Sequence, residues 1–129
     1  MELQGLINQW KATKSITVAT DIVRLLEKNP PYDTLVTEVI AWGRERGITD
    51  PYHQLNKVIE EVGEAAHEIT RDKLESDELQ DAIGDILVTV ILLADTLRMD
   101  PIECLQKAYD TIKDRQGHTS HGTFIKADN

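Results

Sequence analysis

Apolar residues recur every three or four positions along most of the chain, and no stretch shows the strict alternation of a half-buried strand. Pro-containing breaks fall at Asn29-Pro30-Pro31, at Gly47 to Pro51 and at Arg98 to Pro101, and a charged link runs from Arg71 to Asp77. Asp50-Pro51 and Asp100-Pro101 read as helix starts. An Asp side chain accepts from the free N–H groups of a first turn, and Pro is pre-set for the first helical position. Glu103, three residues beyond Asp100, fits a capping box. The spacing predicts helices at roughly 2–28 (broken near Lys14-Ser15), 34–46, 51–71, 76–98 and 101–115. From Gly117 onward the expectation is a short irregular tail.

Two of these helices carry candidate chemistry. In the first, Leu55, Val58, Ile59, Val62, Ala65, Ala66 and Ile69 form one apolar face, the kind a helix turns towards a core. Lys57, Glu61, Glu64 and Glu68 lie beside it, with Glu60 further round. Glutamates on a helix are by themselves an ordinary solvated face. The second helix is less easily dismissed. Glu78, Asp81 and Asp85 are three and four residues apart and share a narrow stripe, which continues through Val88, Thr89 and Leu92. The run Ile86 to Ala94 is apolar almost all round, which predicts burial on most sides. The carboxylates thus lie in line with positions expected to be buried. Stacked carboxylates there repel one another and resist desolvation unless they are protonated, paired with cations or bound to metal. Lys57, Arg71 and Lys73 are the few cations nearby in sequence. An all-oxygen donor set favours magnesium, manganese or calcium.

Composition narrows the partners. The 129 residues suit one domain, and with only 5% aromatics the core must come from Leu, Ile, Val and Ala. A net charge of -9 argues against a nucleic acid polymer or an anionic membrane as partner. The most apolar run is about half the length of a membrane span. The start of the chain has no basic stretch leading into an apolar one, so no secretory leader is expected. A lone Cys104 excludes an internal disulfide and suits a reducing cytoplasm, the expected location. There is no Gly-rich phosphate loop.

Glu61-x-x-Glu64, thirteen intervening residues and Glu78-x-x-Asp81 resemble the paired-acid signature of the MazG-type nucleoside triphosphate pyrophosphohydrolases. The flanking strings are similar too: Gln54 to Glu64, Asp81 to Val88, Ala108 to Gly117 and Gly122 to Lys126. The resemblance covers roughly residues 35–126. It implies a single all-α domain: a four-helix core over 34–126, an extra N-terminal helical segment over 1–33 and the short tail. It also implies hydrolysis of a nucleoside or deoxynucleoside triphosphate to monophosphate and pyrophosphate, supported by magnesium, with manganese as the alternative. Glu61, Glu64, Glu78, Asp81 and Asp85 are the implied metal ligands. Two registers stay open, because many relatives have a Glu three positions before the last Asp, where this chain has Ala82. Glu60 or Glu61 is the implied water-activating group. Lys113, Arg115 and Lys126 are the implied phosphate ligands. Lys57 is a further candidate, although four residues before Glu61 it also reads as an ion-pair partner. Relatives often have Asn at the place of Asp110. A homodimer or dimer of dimers is implied.

Other readings compete. Ala82 and Asp110 leave room for a non-catalytic module that binds a nucleotide or a protein. Glu64-x-x-His67 resembles half of a di-iron bundle motif, which would need a second copy to complete it. Trp10 and Trp42, which could stack on a base, and Cys104 are expected to pack. Gly63 and Gly84 fall inside helices, where Gly costs roughly 1 kcal/mol relative to Ala, so a close helix contact is expected there.

Overall fold

Side-chain caps start the helices where Asp-Pro places them. The computed structural model describes residues 2–28, 31–72 and 74–127, so the break at Asn29-Pro30 and the cation Lys73 lie outside the described residues. Among the described residues the order is α1 (Leu3–Thr13), α2 (Ile16–Lys28), α3 (Tyr32–Glu45), α4 (Pro51–Thr70), α5 (Asp77–Thr96), α6 (Pro101–Ile112), β1 (Gly117–Ser120) and β2 (Thr123–Lys126). The chain is all-α apart from this one small hairpin. The Asp50 carboxylate accepts from the N–H groups of Tyr52 and His53 at 2.9 and 3.4 Å, and Asp100 accepts from that of Ile102 at 2.8 Å. Ser76 caps α5 by accepting from the Leu79 N–H at 3.1 Å. Lys14 takes the left-handed conformation (φ 53) and ends α1 at the expected break.

The tail corrects the sequence reading, because it is an antiparallel hairpin rather than irregular. Ser120 pairs with Thr123 and Gly117 with Lys126. His121 and Gly122 both have positive φ, 51° and 75°, as a tight two-residue turn requires. A β-carbon on Gly117 would collide with the Ile125 carbonyl oxygen and the Phe124 ring. Strands this short cannot display an alternating pattern, so periodicity missed them. The His-Gly pair was the available signal.

The chain divides into two compact units, Met1–Ala41 and Trp42–Asn129. In the first, α1 packs on α2, and Leu6 and Val36 are buried. In the second, α4 and α5 form the main helix pair and α6 packs more lightly on α5. The last turn of α3 is fixed to α5 by a two-pronged ion pair. Arg44 Nε and Nη2 donate to Asp95 at 3.1 and 2.6 Å, and Gly43 lies directly against the Leu92 side chain.

The faces that α4 and α5 turn towards each other are not the most apolar ones. On α4 the covered positions are Gln54, Val58, Glu61, Ala65 and Glu68, and on α5 they include Leu79, Ala82, Ile86, Thr89 and Leu92. Ala65, Leu79 and Ala82 form the buried cluster, with Ile86 packed on it. Leu55, Ile59, Val62 and Ile69, expected to face inward, are exposed within the single chain, as are Ile83, Leu87 and Val90 of α5. The predicted burial of Ile86 to Ala94 on most sides holds, with Leu87 and Val90 as the exposed exceptions. The physical reason for the exposed α4 residues is a roll of α4 by about one residue, which brings two glutamates into the helix pair and leaves its apolar ridge outside. The close contact expected at Gly63 and Gly84 is also absent, since a β-carbon on either would meet open space.

Candidate functional site

Antiparallel packing sets the second half of α4 beside the first half of α5, and this is where the acids gather. A cleft of about 620 Å³ lies between them. Its walls carry Glu60, Glu64 and Glu68 from α4 and Glu78, Asp81 and Asp85 from α5. All three α5 acids face it, so either register of the second acidic pair fits. Ala82 forms the buried floor between them and is 6% exposed. His67 also lines the cleft, one turn from Glu64.

Glu61 does not line the open space. It is half-buried on the inward stripe, and its Oε2 is buried with no hydrogen-bond partner. Its carboxyl holds a proton more tightly than an ordinary glutamate. Burial is the main cause, followed by the charges of Glu64 and Asp85, hydrogen bonding with Glu64 and the charge of Glu60. Glu61 is therefore electrostatically part of the acid cluster although it sits behind the cleft wall.

The residues present suit a hard cation. The donors are carboxylate oxygens, one buried oxygen lacks a partner, and Gly63 leaves open space in the cleft wall where a β-carbon would project. The side chains line a common cleft but do not yet converge. Among the described residues, no three Asp, Glu, His or Cys side chains are spaced to hold an ion as they stand. Mutual repulsion spreads like charges apart. Glu64, Glu78, Asp81 and Asp85 are exposed, so their side chains are not fixed by packing.

The expected cations are distributed differently. Lys57 Nζ pairs with Glu60 Oε2 at 3.1 Å. Lys113 pairs with Asp110 at 3.4 Å beyond the last turn of α6. Arg115 follows it and Lys126 ends β2, both exposed. Lys113, Arg115 and Lys126 line neither the acid cleft nor the second cleft described next. Trp10, expected to pack, is 37% exposed and carries Lys14 over its ring at 4.0 Å. Cys104 is exposed rather than packed.

Sequence reasoning did not anticipate this second cleft, of about 430 Å³, beside the first half of α4. It lies among Trp42, the loop Gly47 to Asp50, the α4 residues His53, Gln54 and Lys57, and Val88, Thr89 and Leu92 of α5. Gln54 was visible as a polar residue next to the apolar ridge. Its importance depended on the roll of α4, which spacing alone does not give.

A family model for the MazG nucleotide pyrophosphohydrolase domain matches residues 51–120. The chain belongs to the MazG family. The matched stretch contains α4, α5, α6 and β1, and so every acid of the cleft together with Lys57, Lys113 and Arg115. Trp42 and Lys126 fall outside the MazG match. Comparison with curated proteins and with solved structures returns no match. No described helix is long and apolar enough to cross a membrane.

Proposed function

We propose that this MazG-family chain hydrolyses a nucleoside or deoxynucleoside triphosphate to the monophosphate and pyrophosphate, with magnesium, or manganese in its place, as the cofactor. The observation that carries this reading is the carboxylate-lined cleft between α4 and α5, backed by the partnerless buried oxygen of Glu61. Glu61, Glu64, Glu78, Asp81 and Asp85 would hold the ions. When bound, these neutralise phosphate oxygens and make water a better nucleophile. Water adds at the α-phosphorus, the bond to the bridging oxygen breaks, and pyrophosphate leaves. Glu60 and Glu61 are the carboxylates assigned to orient that water and accept its proton. Lys57, already beside Glu60, is the cation assigned to a phosphate oxygen. Lys113, Arg115 and Lys126 are exposed side chains that a triphosphate tail would draw in. Most of the remaining catalysis is positioning and electrostatic stabilisation.

The exposed ridges of α4 and α5 support a homodimer or dimer of dimers, since apolar area of this extent on a small chain calls for a partner. Light scattering of the purified protein, with Ile59→Glu as the disrupting variant, tests it. A reducing cytoplasm suits the exposed free Cys104.

The deciding experiment incubates the protein with a panel of ribo- and deoxyribonucleoside triphosphates and magnesium and identifies the first product. Pyrophosphate, lost on chelation, is expected. Orthophosphate as first product, or chelator-insensitive turnover, contradicts the proposal. His67 in the cleft beside Glu64 favours one other reading, a di-iron or di-manganese redox centre shared between copies. Visible absorbance after iron loading distinguishes it.

A further inference from the structure

The second cleft adjoins the first. Lys57 lines the second cleft and is ion-paired at 3.1 Å to Glu60, which lines the acid cleft. On α5 the two clefts are one helical turn apart, with Asp85 in one and Val88 and Thr89 in the other. A ligand with an anionic tail in the acid cleft therefore extends its other end into the second. That end meets a different chemistry. The walls are chiefly apolar, and an indole borders the space. One face of Trp42 is covered by the Arg46 guanidinium at 4.3 Å, which leaves the other for a flat ring.

Gln54 gives this space a polarity. It is 6% exposed and its Nε2 donates to the Thr89 carbonyl at 3.2 Å. The orientation of the amide is fixed by that bond, because its oxygen facing a carbonyl would be repelled. Oε1 therefore stands as an acceptor and takes no hydrogen bond from the described residues. The Asp50 carboxylate on the same rim is likewise an acceptor, its Oδ1 held by the N–H groups of Tyr52 and His53 and its Oδ2 3.1 Å from His53 Nδ1. An acceptor in an apolar wall favours an amino group at the ring position set against it and disfavours a carbonyl oxygen at that same position, which is the difference between cytosine and uracil at ring position 4.

We propose that this cleft seats the nucleobase, stacked on Trp42, and that Gln54 Oε1 accepts from an exocyclic amino group, so that cytosine and adenine nucleotides are preferred to uracil and thymine ones. The proposal rests on the reading of the ligand as a nucleotide and goes beyond it to the base.

The test reads binding without turnover. In a Trp10→Phe background Trp42 is the only indole. Its fluorescence is titrated, without divalent cation, with dCMP, dAMP, dUMP and dTMP up to millimolar concentrations. Quenching is expected, with dCMP and dAMP bound about tenfold more tightly than dUMP and dTMP. Gln54→Leu, with Gln54→Met as a near-isosteric second variant, should reduce that preference to within about twofold while quenching persists. Absence of quenching by any nucleotide overturns the base site. Equal binding of dCMP and dUMP overturns the amino-group selection, and a preference that survives both Gln54 variants overturns the role of Gln54. The pyrophosphate assay is run in parallel. Turnover without Trp42 quenching defeats this inference and spares the proposed activity. Amino-selective quenching without turnover does the reverse.

Discussion

The two halves of the α4–α5 pair use the same helix geometry for opposite chemistry. Where the first half of α4 meets the end of α5, the wall is chiefly apolar, with Trp42, Ile48, Val88 and Leu92 and the buried amide of Gln54, and its charged groups are Asp50 and Lys57. Where the second half of α4 meets the start of α5, the wall is carboxylate on both sides. Both halves are packed, one with the Arg44–Asp95 pair beside it and the other on Ala65, Leu79 and Ala82, but only the second has a local excess of negative charge, with no cation among the described residues lining its cleft. The helix pair can tolerate that asymmetry because apolar contacts beneath the acids and along the rest of the pair offset their repulsion.

Breaking the acid half should cost activity and spare the fold. Glu64→Gln and Asp85→Asn are each expected to lower the rate of pyrophosphate release on the order of 10²–10³-fold. Thermal melting without magnesium should stay level or rise, because one of several like charges is gone. A matching fall in melting temperature would mean that these acids serve the structure instead.

Breaking the apolar half should do the opposite. A β-carbon on Gly43 would press into Leu92, which is 3% exposed. Gly43→Ala should destabilise by about 1–3 kcal/mol, measured by urea unfolding. It should also narrow the second cleft, which Leu92 lines, while leaving the acids in place.

The contrast between the halves was only partly legible in the sequence. The all-α fold, the starts of α4 and α6 and the break at Lys14 followed from local chemistry: Asp-Pro caps and helical spacing. The three α5 acids were correctly placed on one stripe, because a single helix fixes the direction of its side chains. What spacing could not fix was the rotation of α4 about its own axis. The apolar ridge Leu55, Ile59, Val62 and Ile69 has the strongest signal, yet within one chain Gln54, Glu61 and Glu68 are the positions turned inward. That rotation depends on which surface finds which partner, a tertiary property. It hid the second cleft and placed Glu61 behind the wall of the first.

The same rotation predicts a pH effect. Glu61 has its proton affinity raised by burial and by the charges of Glu64 and Asp85. The folded state therefore binds more protons than the unfolded chain between the ordinary glutamate value of 4.5 and the raised folded value. Stability contributed at low pH is lost as pH rises through that window. Without divalent cation, melting temperature should fall with rising pH there more steeply in the wild type than in Glu61→Gln. Magnesium should reduce the difference between the two, by favouring the ionised carboxylate.

The smallest effect is expected at the junction of the halves. Lys57 and Glu60 are exposed, at 60% and 58% of their side chains, and an ion pair so open to water contributes under about 1 kcal/mol. Lys57→Ala should therefore leave urea unfolding almost unchanged. The junction is nevertheless where a nucleotide lying across both clefts would pass its sugar and first phosphate. Removing the only cation that lines either cleft among the described residues should then raise KM several-fold, with little change in kcat, and weaken the dependence of KM on ionic strength. If KM and its salt dependence both stay at the wild-type value, Lys57 serves only Glu60, and no phosphate crosses between the two halves at that point.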